Sequence, residues 1–136
     1  MKLEQYFEKG KGIGILATAD GRGQVNTALY ARPHIENGNA VFVMRERKTY
    51  ANINENTYAN YLYVSDNEVF DGVRMYMTFI KDSVDPAVVE KYRRRNSPVE
   101  KILDEEKLHL VTFKIDKILS LVGDHVGALP FFQNDI

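Results

Sequence analysis

The chain has 136 residues, 44% of them hydrophobic, and a formal net charge of −1. That length supports one hydrophobic core, so a single domain over residues 1–136 is expected, and near-neutrality excludes a whole-molecule attraction to nucleic acid or anionic membranes. Cysteine is absent, which excludes disulfides, thiolate metal sites and cysteine nucleophiles, while every apolar run falls far short of the roughly 20 residues of a membrane helix.

The opening MKLEQYFEKGKG lacks the apolar core of a secretory signal, which leads to the expectation of a soluble, cytoplasmic protein. Leu3, Tyr6 and Phe7 stand at helical spacing before Gly10, predicting a short amphipathic helix. GIGILATA then reads as a strand, and the glycines of DGRGQ at 21 and 23 suit a hairpin loop. QVNTALYARPHI is expected as one long strand. Asn37-Gly38 is the strongest hairpin signal in the chain, with NAVFVM as the return strand. After the charged stretch RERK come a short helix over about 50–55 and a further strand, ANYLYVS.

In VRMYMTFIK, Val73, Met75, Met77 and Phe79 alternate with Arg74, Tyr76, Thr78 and Ile80, the pattern of a strand with one face in the core. Two helices follow. SVDPAVVEKYRRR offers Asp85 as N-cap and Pro86 at the first helical position, and SPVEKILDEE places Ser97, Pro98 and Glu100 as a capping box. HLVTFKI and ILSLVGD are expected as two strands joined by a turn at Asp116-Lys117. A strand meander with a helical insertion predicts a mainly β protein with peripheral helices, built on a small antiparallel barrel.

Several patterns are weaker than they look. Gly12, Gly14 and Ala17 fit G-x-G-x-x-A, but a dinucleotide fingerprint needs a strand before the glycines and a helix after them, whereas here a helix precedes and a strand follows. Close packing within a strongly curved strand accounts for these glycines better. His34, His109 and His125 lack metal-ligand spacing, so no metal site is expected and they are read as structural or surface residues. Tyr92-Arg93-Arg94-Arg95 is the densest basic run. It is read as the last turn of its helix, where positive charge complements the dipole, with an acidic partner or a ligand phosphate as the rival reading. Eight tyrosines and seven phenylalanines come without an RNP-like motif, so no nucleic-acid partner is expected.

The junction VFVMRERKTYANI at 41–53 is more informative. A strand that simply ended there would need a turn former, and none stands between Met44 and Thr49. With Thr49 as N-cap of the following helix, the first-turn N–H groups are left pointing at whatever precedes the helix. Lys48 adds a point charge, Arg45 and Arg47 add forked donors, and the Thr49 hydroxyl can donate as well. A phosphate monoester suits this donor set better than a carboxylate, because three terminal oxygens can be shared among several donors, with a solvated basic turn and an ordinary cap as the rival reading.

VNTALYARP at 25–33, followed by an NG hairpin, a strand and RKTYANI at 47–53, resembles the FMN-binding split-barrel family, the group related to pyridoxamine 5′-phosphate oxidase, and in particular its small FMN-binding flavoproteins. The resemblance spans nearly the whole chain in element order, with V-N-T and K-T-x-A-N as its specific parts. It implies a six- to seven-stranded antiparallel split β-barrel and bound FMN. Asn26, Thr27, Lys48 and Thr49 would hold the phosphate with Arg47 beside them, and Val43, Met44 and Arg45 would run along the flavin ring with their backbone groups. It also implies a homodimer with flavin between the barrels, where residues near GALPFF reach the partner's flavin.

Pyridoxamine phosphate oxidases carry a C-terminal segment with Arg and Trp that grips the substrate. This chain has no Trp and ends at Ile136, so that activity is not expected. No general acid, base or nucleophile is evident, which leaves the chemistry to the cofactor. The expected function is a flavin-dependent oxidoreductase taking electrons from a nicotinamide or a protein donor. The alternatives are a non-catalytic flavin-binding or electron-transfer module, and a split barrel that holds haem or a deazaflavin.

Overall fold

The computed structural model describes residues 2–66, 71–94 and 107–123. The capping box at 97–100, Arg95, His125 and GALPFF lie outside the described residues. In chain order the elements are α1 (Leu3–Lys9), β1 (Gly12–Ala19), β2 (Val25–Leu29), β3 (His34–Glu36), β4 (Asn39–Arg45), α2 (Lys48–Glu55), β5 (Tyr58–Ser65), β6 (Gly72–Ser83), α3 (Pro86–Glu90) and β7 (Leu108–Leu119). Among the described residues no helix is long and apolar enough to cross a membrane.

The seven strands form one antiparallel sheet in the order β2-β1-β5-β6-β7-β4-β3. It is a mainly β, split-barrel fold with peripheral helices. The inner face holds one core, to which β1 gives Leu16, β4 gives Phe42 and Met44, β5 gives Tyr61 and Tyr63, β6 gives Val73, Met75 and Met77, and β7 gives Val111, Phe113 and Ile118, with Leu3 and Phe7 of α1 packed among them. Aromatic edges fill this core: Phe42 meets Tyr61 at 5.1 Å and Phe113 at 5.8 Å between ring centroids, both near perpendicular, the favoured arrangement for ring quadrupoles. Burial in β6 alternates along residues 73–78 as its sequence predicts and ends at Phe79, which is only partly buried.

Local chemistry accounts for the tight points. Asn37 and Gly38 both take positive φ, 52° and 79°, as a two-residue hairpin turn requires. Gly14 is fixed by space, since a Cβ there would lie 1.8 Å from the Tyr61 hydroxyl and 2.8 Å from the Tyr30 carbonyl oxygen. Close packing is therefore the role of this glycine-rich strand. Asp85 caps α3 by accepting from the Ala87 N–H at 3.0 Å, with Pro86 at the first helical position.

Three elements depart from expectation. The long strand over 24–35 is split into β2 and β3, at opposite edges of the sheet. Residues 30–33 span between them, and Tyr30 N–H still bonds to Gly14 O at 3.0 Å. Second, Asp116-Lys117 is not a turn. β7 runs straight through it, and the pairing with β6 shifts there, with Tyr76 opposite Lys117 but Met77 opposite Ile115. Asp116 is the extra residue of a bulge, and its carboxylate accepts from the Thr78 hydroxyl at 2.6 Å. Third, α3 ends at Glu90, so Arg93 and Arg94 lie past the helix and do not complement its dipole.

Candidate functional site

Strand β4 ends at Arg45 and α2 starts at Lys48, two residues earlier than expected. Arg47, in extended conformation, is therefore the N-cap, and Thr49 is the second helical residue. No side chain caps the helix and no acidic residue lies in its first turn. The N–H groups of residues 48–50 have no acceptor within the helix for geometric reasons, and Lys48 and Thr49 of this turn line an adjoining cleft, the setting in which a helix N-terminus favours an anion. Thr49 is buried, and its hydroxyl meets that of Tyr30, whose pKa burial pushes up to about 12 against the opposing pull of Thr49, Arg45 and Arg47.

The cleft has a volume of about 300 Å³. One wall comes from β2 and the span after it, residues 26–32, and another from Val41, Val43 and Arg45 of β4. Arg47, Lys48 and Thr49 close one end, while Tyr92 and Arg94 stand in the lining as well. Of the residues singled out from the sequence, Asn26, Thr27, Val43, Arg45, Arg47, Lys48 and Thr49 are brought together here. Met44 is not, because successive strand residues point to opposite faces and its side chain is fully buried in the core. The same alternation, read from Val43, would have found Val41. Tyr30, Arg32, Tyr92 and Arg94 were missed as lining residues, although Tyr30 and Arg32 lie within VNTALYARP and Tyr92 and Arg94 within the basic run. Five of the lining residues are Arg or Lys and none is acidic, so the cleft favours an anion.

A second cluster braces the junction from behind. His109 of β7 is buried, with Nδ1 2.9 Å from Asp82 Oδ1 and Nε2 2.7 Å from Glu46 Oε1. Its ring stacks on Tyr50 of α2 at 4.1 Å, and the Tyr50 hydroxyl donates to Asp82 Oδ2 at 2.6 Å. The bond to His109 holds the Glu46 carboxyl below its ordinary pKa. The histidine thus ties the first turn of α2 to β6 and β7, a structural role as expected, although its partners lie 27 and 63 residues away and left no trace in local sequence.

A seven-stranded split barrel with a basic, apolar-walled cleft between its β2 edge and a helix N-terminus defines a class of ligand-binding barrels. Among solved structures, the chain is similar to an FMN-binding protein from Syntrophomonas wolfei subsp. wolfei, at 25% identity over 89% of this chain and 84% of that one, with a TM-score of 0.70. It is similar to a protein related to general stress protein 26, of the pyridoxinephosphate oxidase family, from Clostridium acetobutylicum (15% identity, 85% and 83% covered, TM-score 0.63). An F420 reductase shares the fold at 13% identity, with 87% and 97% covered and a TM-score of 0.66. No protein-family model matches the sequence and no curated protein does. These structural neighbours are consistent with the FMN-binding split-barrel family, the group related to pyridoxamine 5′-phosphate oxidase, which the sequence resembles.

Proposed function

We propose that the chain is an FMN-binding oxidoreductase whose phosphate site is the start of α2. The observation that carries this reading is the uncapped first turn of α2 at the basic end of an apolar-walled cleft. Lys48, the hydroxyl of Thr49 and the N–H groups of residues 48–50 would hold the phosphate with Arg47, and Asn26 and Thr27 would face it from β2. Val43 and Arg45 would lie along the ring, with the backbone of Met44 between them. Bound FMN would supply hydride or single-electron transfer, and the protein's part is to bind, orient and shield it.

Each charge-assisted hydrogen bond to phosphate contributes roughly 1.5–3 kcal/mol, so two or three should favour FMN over riboflavin by at least about a hundredfold. Titration of both flavins tests this, and equal affinities would sink the phosphate site. Stopped-flow mixing with NADH and NADPH separates an oxidoreductase using a nicotinamide donor from an electron-transfer module served by a protein, which should react negligibly with either. The F420 reductase among the structural neighbours favours a deazaflavin as the second reading, and the absorption spectrum of the purified protein distinguishes it from FMN and from haem.

The cleft volume of about 300 Å³ stands at the low end for small-molecule sites, so one chain encloses only part of a flavin. The outer face of the sheet near β2 supports a second copy as the remaining wall. Ile15 pairs with Leu29 and Leu62, and Ile13 pairs with Val64, across three adjacent strands. Ile13, Val25 and Leu29 are 62%, 68% and 56% exposed, an apolar patch of the kind that marks an interface. Tyr76 and the exposed Ile80 extend the outer face along β6. Sedimentation at falling concentration, with and without FMN, should show a homodimer that flavin strengthens. A monomer with full flavin affinity would rule out a shared site.

A further inference from the structure

The described residues of the basic run, 92–94, have no part in the phosphate site, and the helix dipole does not account for them. Its described residues turn back from α3 across the cleft. Tyr92 packs on the cluster formed by Val41, Val89 and Leu110, beside Val43, so its ring covers the same face of β4 that lines the cleft. Resting on the reading of the cleft as a flavin site, we propose that Tyr92 is a ligand-contacting residue whose ring forms the wall for the planar group, at the other end of the cleft from the phosphate.

Tyr92 is held on every side that a ligand does not need. Its N–H bonds to Val89 O at 3.0 Å. Its carbonyl oxygen accepts from His34 Nε2 at 3.1 Å, and the His34 ring stands edge-on to it at 5.2 Å. Its hydroxyl hydrogen bonds to the Glu36 carboxylate. Two residues on, Arg94 grips Glu8 of α1 through both guanidinium ends, at 2.9 and 3.2 Å, and donates to the carbonyl oxygens of Arg32 and Pro33, each at 2.9 Å. With backbone, hydroxyl and following residue all tied to other elements, the ring pays no ordering cost when a ligand meets it. The chemistry on offer there is apolar and aromatic, from Val41, Val43 and Tyr92, which suits a flat conjugated ring better than a sugar or a flexible chain.

The test compares Tyr92→Ala and Tyr92→Phe with wild type, using FMN and riboflavin as probes. Loss of the ring should weaken both flavins by about tenfold and by the same factor, because an aromatic contact acts on the ring and leaves phosphate recognition intact. Tyr92→Phe should bind both within about twofold of wild type, since the hydroxyl faces Glu36. Emission from bound flavin should rise in Tyr92→Ala alone, as a contacting phenol that quenches it is removed. Unchanged affinity and emission in a folded Tyr92→Ala, or an equal loss in Tyr92→Phe, would overturn this inference while leaving the phosphate site standing. Wild-type protein that binds neither flavin would overturn both.

Discussion

At the α2 end of the cleft, Lys48 is exposed and the helix that follows has no side-chain cap. At the other end Arg32 donates to the carbonyl oxygens of Phe7, at 2.5 Å, and of Gly10, while Arg94 is committed to Glu8 and two further carbonyls. Both ends are basic, yet one keeps donors turned to the cleft and the other uses its guanidinium groups to fasten α1 and the 92–94 segment to the barrel. Charge count alone therefore does not locate an anion site. What matters is whether the protein has already satisfied the donors, because a cation paired in the fold has little left to offer a ligand.

The largest effect should come from Lys48→Ala. FMN affinity should fall about ten- to a hundredfold with riboflavin affinity unchanged, and ligand-free stability should hold, since an exposed cation adds little to folding. If riboflavin weakened equally, the contrast between the two ends would collapse. Next comes His109→Leu, which removes both carboxylate bonds and the stack on Tyr50. Stability to urea should drop by about 1–3 kcal/mol, a range set low because Glu46 and Asp82 are partly exposed. FMN affinity should fall with it, while an unchanged unfolding midpoint would dismiss the brace.

Thr49→Val should cost about 0.5–1.5 kcal/mol through the lost bond to Tyr30, together with some FMN affinity. The stability loss is that of a buried hydrogen bond, since Arg47 and not Thr49 is the N-cap. A variant as stable as wild type would show that the hydroxyl serves only the ligand.

The smallest effect is a pH dependence at the far end. Burial, followed by the nearby Arg94 charge, holds His34 below its ordinary value of 6.5, so the fold favours the neutral ring and this contribution is lost as pH falls below that value. The hydrogen bond from Arg94 holds Glu8 below its ordinary 4.5, so its contribution is present above 4.5 and is lost as pH falls further. Thermal melts should weaken in that order on acidification. Glu8→Gln should remove the Glu8 share of the lower step and leave that of Glu46, and an identical acid profile would show that the Arg94 grip adds nothing.

Much of the fold was legible because its signals are local. Asn37-Gly38, Asp85-Pro86, the alternation in β6 and the strand-to-helix junction each depend on residues within a few positions, where backbone sterics and side-chain period decide the outcome. Seven of the eight residues marked for the cofactor line one cleft for a similar reason: they sit on β2 and around the β4-to-α2 junction, elements whose existence and order were readable even where their bounds were not. The sequence could not settle where a strand breaks once both halves have different partners, as between β2 and β3, or whether Asp116-Lys117 turns or bulges, which the pairing with β6 decided. Nor could it place Tyr92 over Val41 or His109 between Asp82 and Glu46. Those contacts join residues tens of positions apart, and their energy exists only after the sheet has closed around the core and brought its edges together.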